Sequence, residues 1–164
     1  MEDIDFSVFC KTRAQAQDFS TRLGAIISEI FLMNFKLENS LTEHLGLQKK
    51  DELLIILREK KINVSSGTDL KSFLSKLQDY ITTLPVLSMI IAIEPKEKTL
   101  TMLSEWFQIN LQKQVLFDLI CEPGLIGGAA IAYKGKFLDY SIRPLFQKIL
   151  AETTTQIMQQ KVTT

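Results

Sequence analysis

Residues 122–150 read EPGLIGGAAIAYKGKFLDYSIRPLFQKIL, and this order of turns and apolar runs decides how the second half of the chain folds. Glycine tolerates a positive φ and the close approach of another backbone segment. The pair Gly127-Gly128 therefore predicts the start of a strand at a place where no Cβ fits. The apolar run 129–133 follows directly and is predicted to be that strand.

A tight turn and a helix start come next in the same stretch. Lys134-Gly135 predicts a chain reversal, which pairs the preceding run with residues 136–138 in a β-hairpin. Ser141 is placed to cap the final helix, and Pro144 falls in its first turn, where a missing N–H costs no hydrogen bond. Apolar residues then recur at the one-face spacing of a helix. The residues themselves thus predict a hairpin and a helix, and they indicate no chemistry.

The order of these elements resembles the C-terminal part of the delta subunit of F-type ATP synthase, whose mitochondrial relative is the oligomycin-sensitivity-conferring protein. The similarity covers residues from about 86 to 150. Tyr140 stands where that family commonly has glycine. The positions that carry the resemblance, and to which it gives a structural role, are Leu125, Ile126, Gly127, Gly128, Gly135, Asp139 and Ser141.

The resemblance implies a non-catalytic subunit of the peripheral stalk, or stator, of a proton-translocating ATP synthase on the cytoplasmic side of the cell membrane. Such a subunit links the catalytic head to the b-subunit stalk and resists the torque of the rotor. The helical domain would hold the N-terminal helix of an alpha subunit, and the C-terminal domain would hold the C-terminal helices of the b subunit. These are helix-in-groove contacts, which depend on apolar burial. The resemblance assigns no partner-contact residues in this chain.

Composition predicts a folded chain of one or two small domains. The 164 residues are 46% hydrophobic and 23% charged, which is enough apolar material for a core. The 19 basic residues balance the 19 acidic ones. Because counterion release needs a surplus of basic residues, nucleic-acid binding is disfavoured.

Two cysteines lie far apart in the sequence, Cys10 and Cys121. Without an export signal in the acidic start MEDID, they indicate reduced thiols in a cytosolic compartment. Cys121 ends an alternating apolar run and is predicted to be buried. The longest apolar stretches, such as residues 84–93, are about half as long as a membrane helix, so no membrane span is predicted.

Residues 1–83 predict an all-helical bundle of about four helices. Residues 31–37 are apolar on nearly all sides and predict a buried helical segment. Ser40 and Glu43 fit a capping box, although a helix that starts earlier, near Leu37, fits as well.

The pattern changes after Pro85 to one of short strands and helices. Residues 86–93 predict a buried strand, and residues 114–121 predict a strand that buries mainly one face. Residues 96–111 between them predict a helix. Its inward-facing residues are predicted to be Leu100, Leu103, Trp106, Phe107 and Leu111. The fold class is therefore α+β, with a helical bundle domain at 1–83 followed by a small α/β domain at 84–164 (strand, helix, strand, hairpin and C-terminal helix).

The sequence predicts no catalytic, cofactor or metal site. His44 is the only histidine, and it is interpreted as a surface or packing residue rather than a catalytic base. The Gly135-Lys136 pair lacks the upstream glycine and the following Ser or Thr of a phosphate-binding loop. Asp139 is predicted to accept backbone N–H bonds near the final helix. Two alternatives stay open: a small enzyme or ligand-binding domain, and an adaptor unrelated to ATP synthase.

Overall fold

The computed structural model describes residues 4–125, 127–133 and 135–162, without the side chains of Leu111 and of residues 153–162. These residues form six α-helices and a four-stranded mixed sheet, with four helices before the first strand. The predicted α+β fold class is confirmed. The helices are α1 (Arg13–Glu29), α2 (Leu37–Leu45), α3 (Leu47–Glu59), α4 (Gly67–Thr83), α5 (Glu97–Leu111) and α6 (Arg143–Val162). The strands are β1 (Val86–Ile91), β2 (Leu116–Cys121), β3 (Ala129–Tyr133) and β4 (Lys136–Asp139).

The chain divides into two compact units, and both are discontinuous in sequence. Unit 1 comprises Met1–Val86 and Glu97–Phe117, so it holds α5 together with the first four helices. Unit 2 comprises Leu87–Lys96 and Asp118–Thr164. The division into consecutive domains at 1–83 and 84–164 stays a prediction.

Polar side chains and a glycine set the helix ends in unit 1. Thr12 and Gln15 form a capping box at the start of α1, where each side chain accepts a backbone N–H. Ser66 caps α4 through the N–H of Asp69. Gly46 closes α2 with a φ of 79°, a conformation that glycine adopts without strain, and α3 starts at the next residue.

The apolar faces of α1 to α4 meet in one core, which is why the predicted bundle forms. Phe9 and Phe19 stack with ring centroids 4.9 Å apart within this core. Its most deeply buried side chains are Phe6, Phe9, Phe19, Leu23, Ile26, Leu41, Leu53, Leu57, Leu70, Leu74 and Leu77.

Gln114 ties the N-terminal segment into unit 1. Its side-chain carbonyl accepts the N–H of Phe6 at 3.1 Å, and its amide donates to the carbonyl of Ile4 at 2.7 Å. The N–H of Phe117 also donates to the carbonyl of Lys11 at 2.8 Å. The segment before α1 is therefore fixed by backbone groups as well as by its buried aromatic rings.

Two predictions in the connection between α1 and α2 are wrong. Residues 31–37 are not a buried helix, because α1 ends at Glu29 and the loop that follows exposes Phe31, Leu32 and Met33. The capping box at Ser40 does not form, because α2 begins at Leu37, the earlier start that the sequence allowed. The Ser40 hydroxyl is buried and donates to Glu29 Oε2 at 2.6 Å instead.

The sheet has the strand order β2-β1-β3-β4, and β3 pairs antiparallel with both of its neighbours. Ala130 lies opposite Asp139 and Tyr133 opposite Lys136, so the predicted hairpin is confirmed. Along β1, buried residues alternate with half-buried ones. In β4, which is an edge strand of the sheet, every residue is exposed.

Two predictions of burial in the second half are wrong. Trp106 on α5 is 54% exposed, although Leu100 of the same helix is buried as predicted. Cys121 is exposed at the end of β2, because this strand buries its first residues, Leu116 and Phe117, and not its last ones. The spacing of apolar residues shows which face of a helix or strand is apolar. It does not show which part of that face is covered by other residues.

Candidate partner-binding site

The paired glycine of the motif lies where two backbone segments of unit 2 cross. Gly128 has a φ of 81°, and a Cβ there would overlap the carbonyl oxygen of Tyr140 and lie 2.9 Å from the Cα of Ser141. A Cβ on Gly127 would lie 2.7 Å from Cδ1 of Ile142. Real Cβ atoms essentially never come that close to other heavy atoms. Glycine is therefore required at Gly128, where the neighbouring atoms belong to the backbone, whereas at Gly127 the end of the Ile142 side chain can move aside.

The turn before α6 is held by Asp139 rather than capped by Ser141. Asp139 Oδ1 accepts the N–H of Ser141 at 2.8 Å, which is the backbone bond predicted for this carboxylate. The pKa of Asp139 is lowered by the Ser141 hydroxyl and then by the Ser141 amide. The hydroxyl oxygen is buried near the carboxylate and has no hydrogen bond of regular geometry within the described residues. The predicted cap is wrong, because the N–H of Phe146 bonds to the carbonyl of Ile142, which places the helix start one residue later.

The remaining motif positions have different surroundings. Leu125 is buried in the short turn Pro123–Leu125. Gly135 has a φ of 76° in the hairpin, and no atom lies within 4 Å of the place its Cβ would occupy. Ile126 and Lys134 lie outside the described residues. The motif residues that are described therefore shape the backbone of unit 2, and they do not assemble reactive groups.

The first half of α6 presents large apolar side chains to solvent. Every residue from 142 to 152 is exposed. A chain normally buries such side chains, and a contiguous exposed set marks an interaction surface. The set consists of Ile142, Leu145, Phe146, Ile149 and Leu150, which are 46 to 59% exposed.

A second exposed apolar set lies on α5 of unit 1. Met102, Trp106 and Ile109 recur at the spacing of one helix face. Leu100 and Ser104 point the other way and are buried. The helix is therefore apolar on two opposite faces, and a helix of this kind is normally covered on both.

Unit 1 also contains a groove along α1, with a volume of about 710 Å³. It has an apolar floor and a polar rim, the composition of a site that takes an apolar group in a fixed orientation. No motif or apolar period in the sequence marks these residues. Small Ala16 and Ser20 at a helical spacing within a row of larger residues were the available signal. The groove is lined by Arg13, Ala16, Gln17, Ser20, Thr21, Ile81, Thr82, Leu84, Val86 and Leu116.

His44 belongs to a polar cluster that joins α1 to α2. Its Nε2 lies 2.8 Å from Glu29 Oε1, while Ser40 donates to the other oxygen of the same carboxylate. The pKa of Glu29 is lowered by the hydrogen bond from Ser40, then by the one from His44. Arg22 donates to the backbone carbonyl of His44 at 2.7 Å. The serine and the histidine both form hydrogen bonds with the carboxylate and not with each other. The cluster therefore links α1 to α2, and it does not activate the serine as a nucleophile.

Cys10 is a buried thiol in unit 1. Burial raises its pKa to about 11, against the opposing charges of Lys49 and Lys11. A thiol with that pKa carries almost no thiolate at neutral pH, so it is a packing residue. Within the described part of the chain, no three His, Cys, Asp or Glu side chains form a group that could hold a metal ion.

None of the helices in the described residues combines the length and the hydropathy that crossing a bilayer requires. No protein-family model matches the chain, and no curated protein matches it. Among the described residues, three features bear on function: the motif of unit 2, the apolar faces of α5 and α6, and the groove of unit 1.

Proposed function

We propose that this chain is a stator subunit of a proton-translocating F-type ATP synthase, which joins the catalytic head to the b-subunit stalk on the cytoplasmic side of the membrane and catalyses no reaction. The observation that carries the proposal is the exposed apolar face of α6. It belongs to the same stretch that resembles the delta subunit, and it suits a helix whose partner is another chain.

The motif supports the proposal through its geometry. At Gly128 the backbone excludes any side chain, because the carbonyl of Tyr140 occupies the place of a Cβ. The resemblance is therefore strongest at a position where this fold requires glycine. Tyr140 departs from the glycine of the family, and its own N–H donates to the carbonyl of Ala129 at 2.8 Å, so the turn still closes.

The groove on α1 is the proposed site for the N-terminal helix of the alpha subunit. An amphipathic helix buries its apolar residues in such a groove and keeps its polar face near the rim. Apolar Ile81 and Leu84 form part of the floor, whereas Gln17 and Thr21 stand at the rim. The face of α6 is the proposed site for the C-terminal helices of the b subunit.

The proposal is tested by calorimetry with two synthetic peptides whose sequences come from the genome that encodes this chain. The alpha peptide is the N-terminal helix of the alpha subunit, and the b peptide is the C-terminal helix of the b subunit. We expect both peptides to bind at micromolar concentrations, each at a 1:1 ratio and without competition. Absence of heat with both peptides would contradict the stator function.

A pair of variants locates the alpha site. Ser20→Trp fills the groove and is expected to weaken binding of the alpha peptide by at least roughly tenfold, which is about 1.4 kcal/mol. Ser28→Trp places the same side chain on the same helix outside the groove, and it should leave the affinity unchanged. Equal effects of the two variants would place the alpha peptide elsewhere.

The alternative function is that of an adaptor or ligand-binding domain unrelated to ATP synthase. The groove volume of about 710 Å³ favours it, because this falls in the range of small-molecule sites. Binding of a small metabolite in the groove, together with no binding of either peptide, would support this alternative.

A further inference from the structure

We draw no further inference here: the strongest candidate, the exposed apolar face of α5 formed by Met102, Trp106 and Ile109, carries nothing because no feature of the described residues shows what covers it.

Discussion

Replacing Gly128 by alanine is the sharpest test of how unit 2 is built. The added Cβ would overlap the Tyr140 carbonyl oxygen and lie 2.9 Å from the Cα of Ser141. Both are backbone atoms. The Tyr140 N–H is already bonded to Ala129, so this segment cannot move away without losing that bond.

Two costs add at this position. A non-glycine residue at a φ of 81° costs about 1–2 kcal/mol. Forcing a methyl group into a filled space costs about 1–3 kcal/mol. We therefore expect Gly128→Ala to destabilise unit 2 by roughly 2–5 kcal/mol. Gly135→Ala is the matched control, because its φ is 76° and its Cβ meets no atom within 4 Å, so only the first cost applies.

The assay is urea unfolding followed by segment-resolved hydrogen exchange, which reads the two units separately in one chain. Gly128→Ala should lower the protection of β3 and β4 far more than Gly135→Ala does, and should leave α1 and α4 unchanged. If the two alanine variants cost the same, the close approach at Gly128 does not exist in solution. Equal loss of protection in β3 and β4 and in α1 and α4 would contradict the expectation that the effect is confined to unit 2.

Three further predictions concern the rest of the chain. Gln114→Leu removes both side-chain bonds to the N-terminal segment and should cost about 2 kcal/mol in urea unfolding. Gln114→Glu keeps an acceptor for the Phe6 N–H but sets a carboxylate oxygen against the Ile4 carbonyl, so it should not be less costly, and a neutral effect of either variant would contradict these bonds. Because the pKa of Glu29 is lowered in the folded chain, its stabilising contribution is present above the unfolded pKa near 4.5 and is lost as the pH falls through the lower folded value. The difference in melting temperature between Glu29→Gln and the unmodified chain should accordingly shrink between pH 6 and pH 3, and a constant difference would contradict this. At pH 8 a thiol reagent should modify exposed Cys121 rapidly, and Cys10, whose pKa is about 11, only upon unfolding.

The sequence predicts best where the conformation is a local property. The hairpin and the glycine pair depend on residues within about fifteen positions of one another, and both take the predicted form. The cap at Ser141 is also local, yet it is wrong, because Asp139 two residues earlier binds the backbone N–H of Ser141 and holds the turn, so that the helix starts later. Two polar side chains competed for one short segment, and composition does not rank them.

Burial is less predictable than the elements themselves. Trp106 and Phe31 both belong to apolar patterns that predict a core, and both are exposed. The groove residues on α1 show the opposite case: Gln17 and Ser20 have the pattern of an ordinary solvent-exposed polar face, so this pattern gives no sign of a groove. They line a groove because the end of α4, about sixty residues later in the sequence, packs beside them. A local sequence pattern cannot reveal a contact over that separation.

These errors of burial have a common physical origin. A helical stripe of apolar residues records selection for contact with something apolar, and it carries no information on whether the other surface belongs to the same chain. In a domain that binds no partner through such a stripe, the apolar surface it contacts belongs to the same chain, so the stripe predicts core residues. In a chain that binds other proteins, the surface that a stripe contacts can belong to a partner. The stripes on α5 and α6 are found outside the core. Of the residues wrongly predicted to be buried, Trp106 lies on such a stripe of α5, whereas Phe31 lies in the loop after α1 and Cys121 at the end of β2.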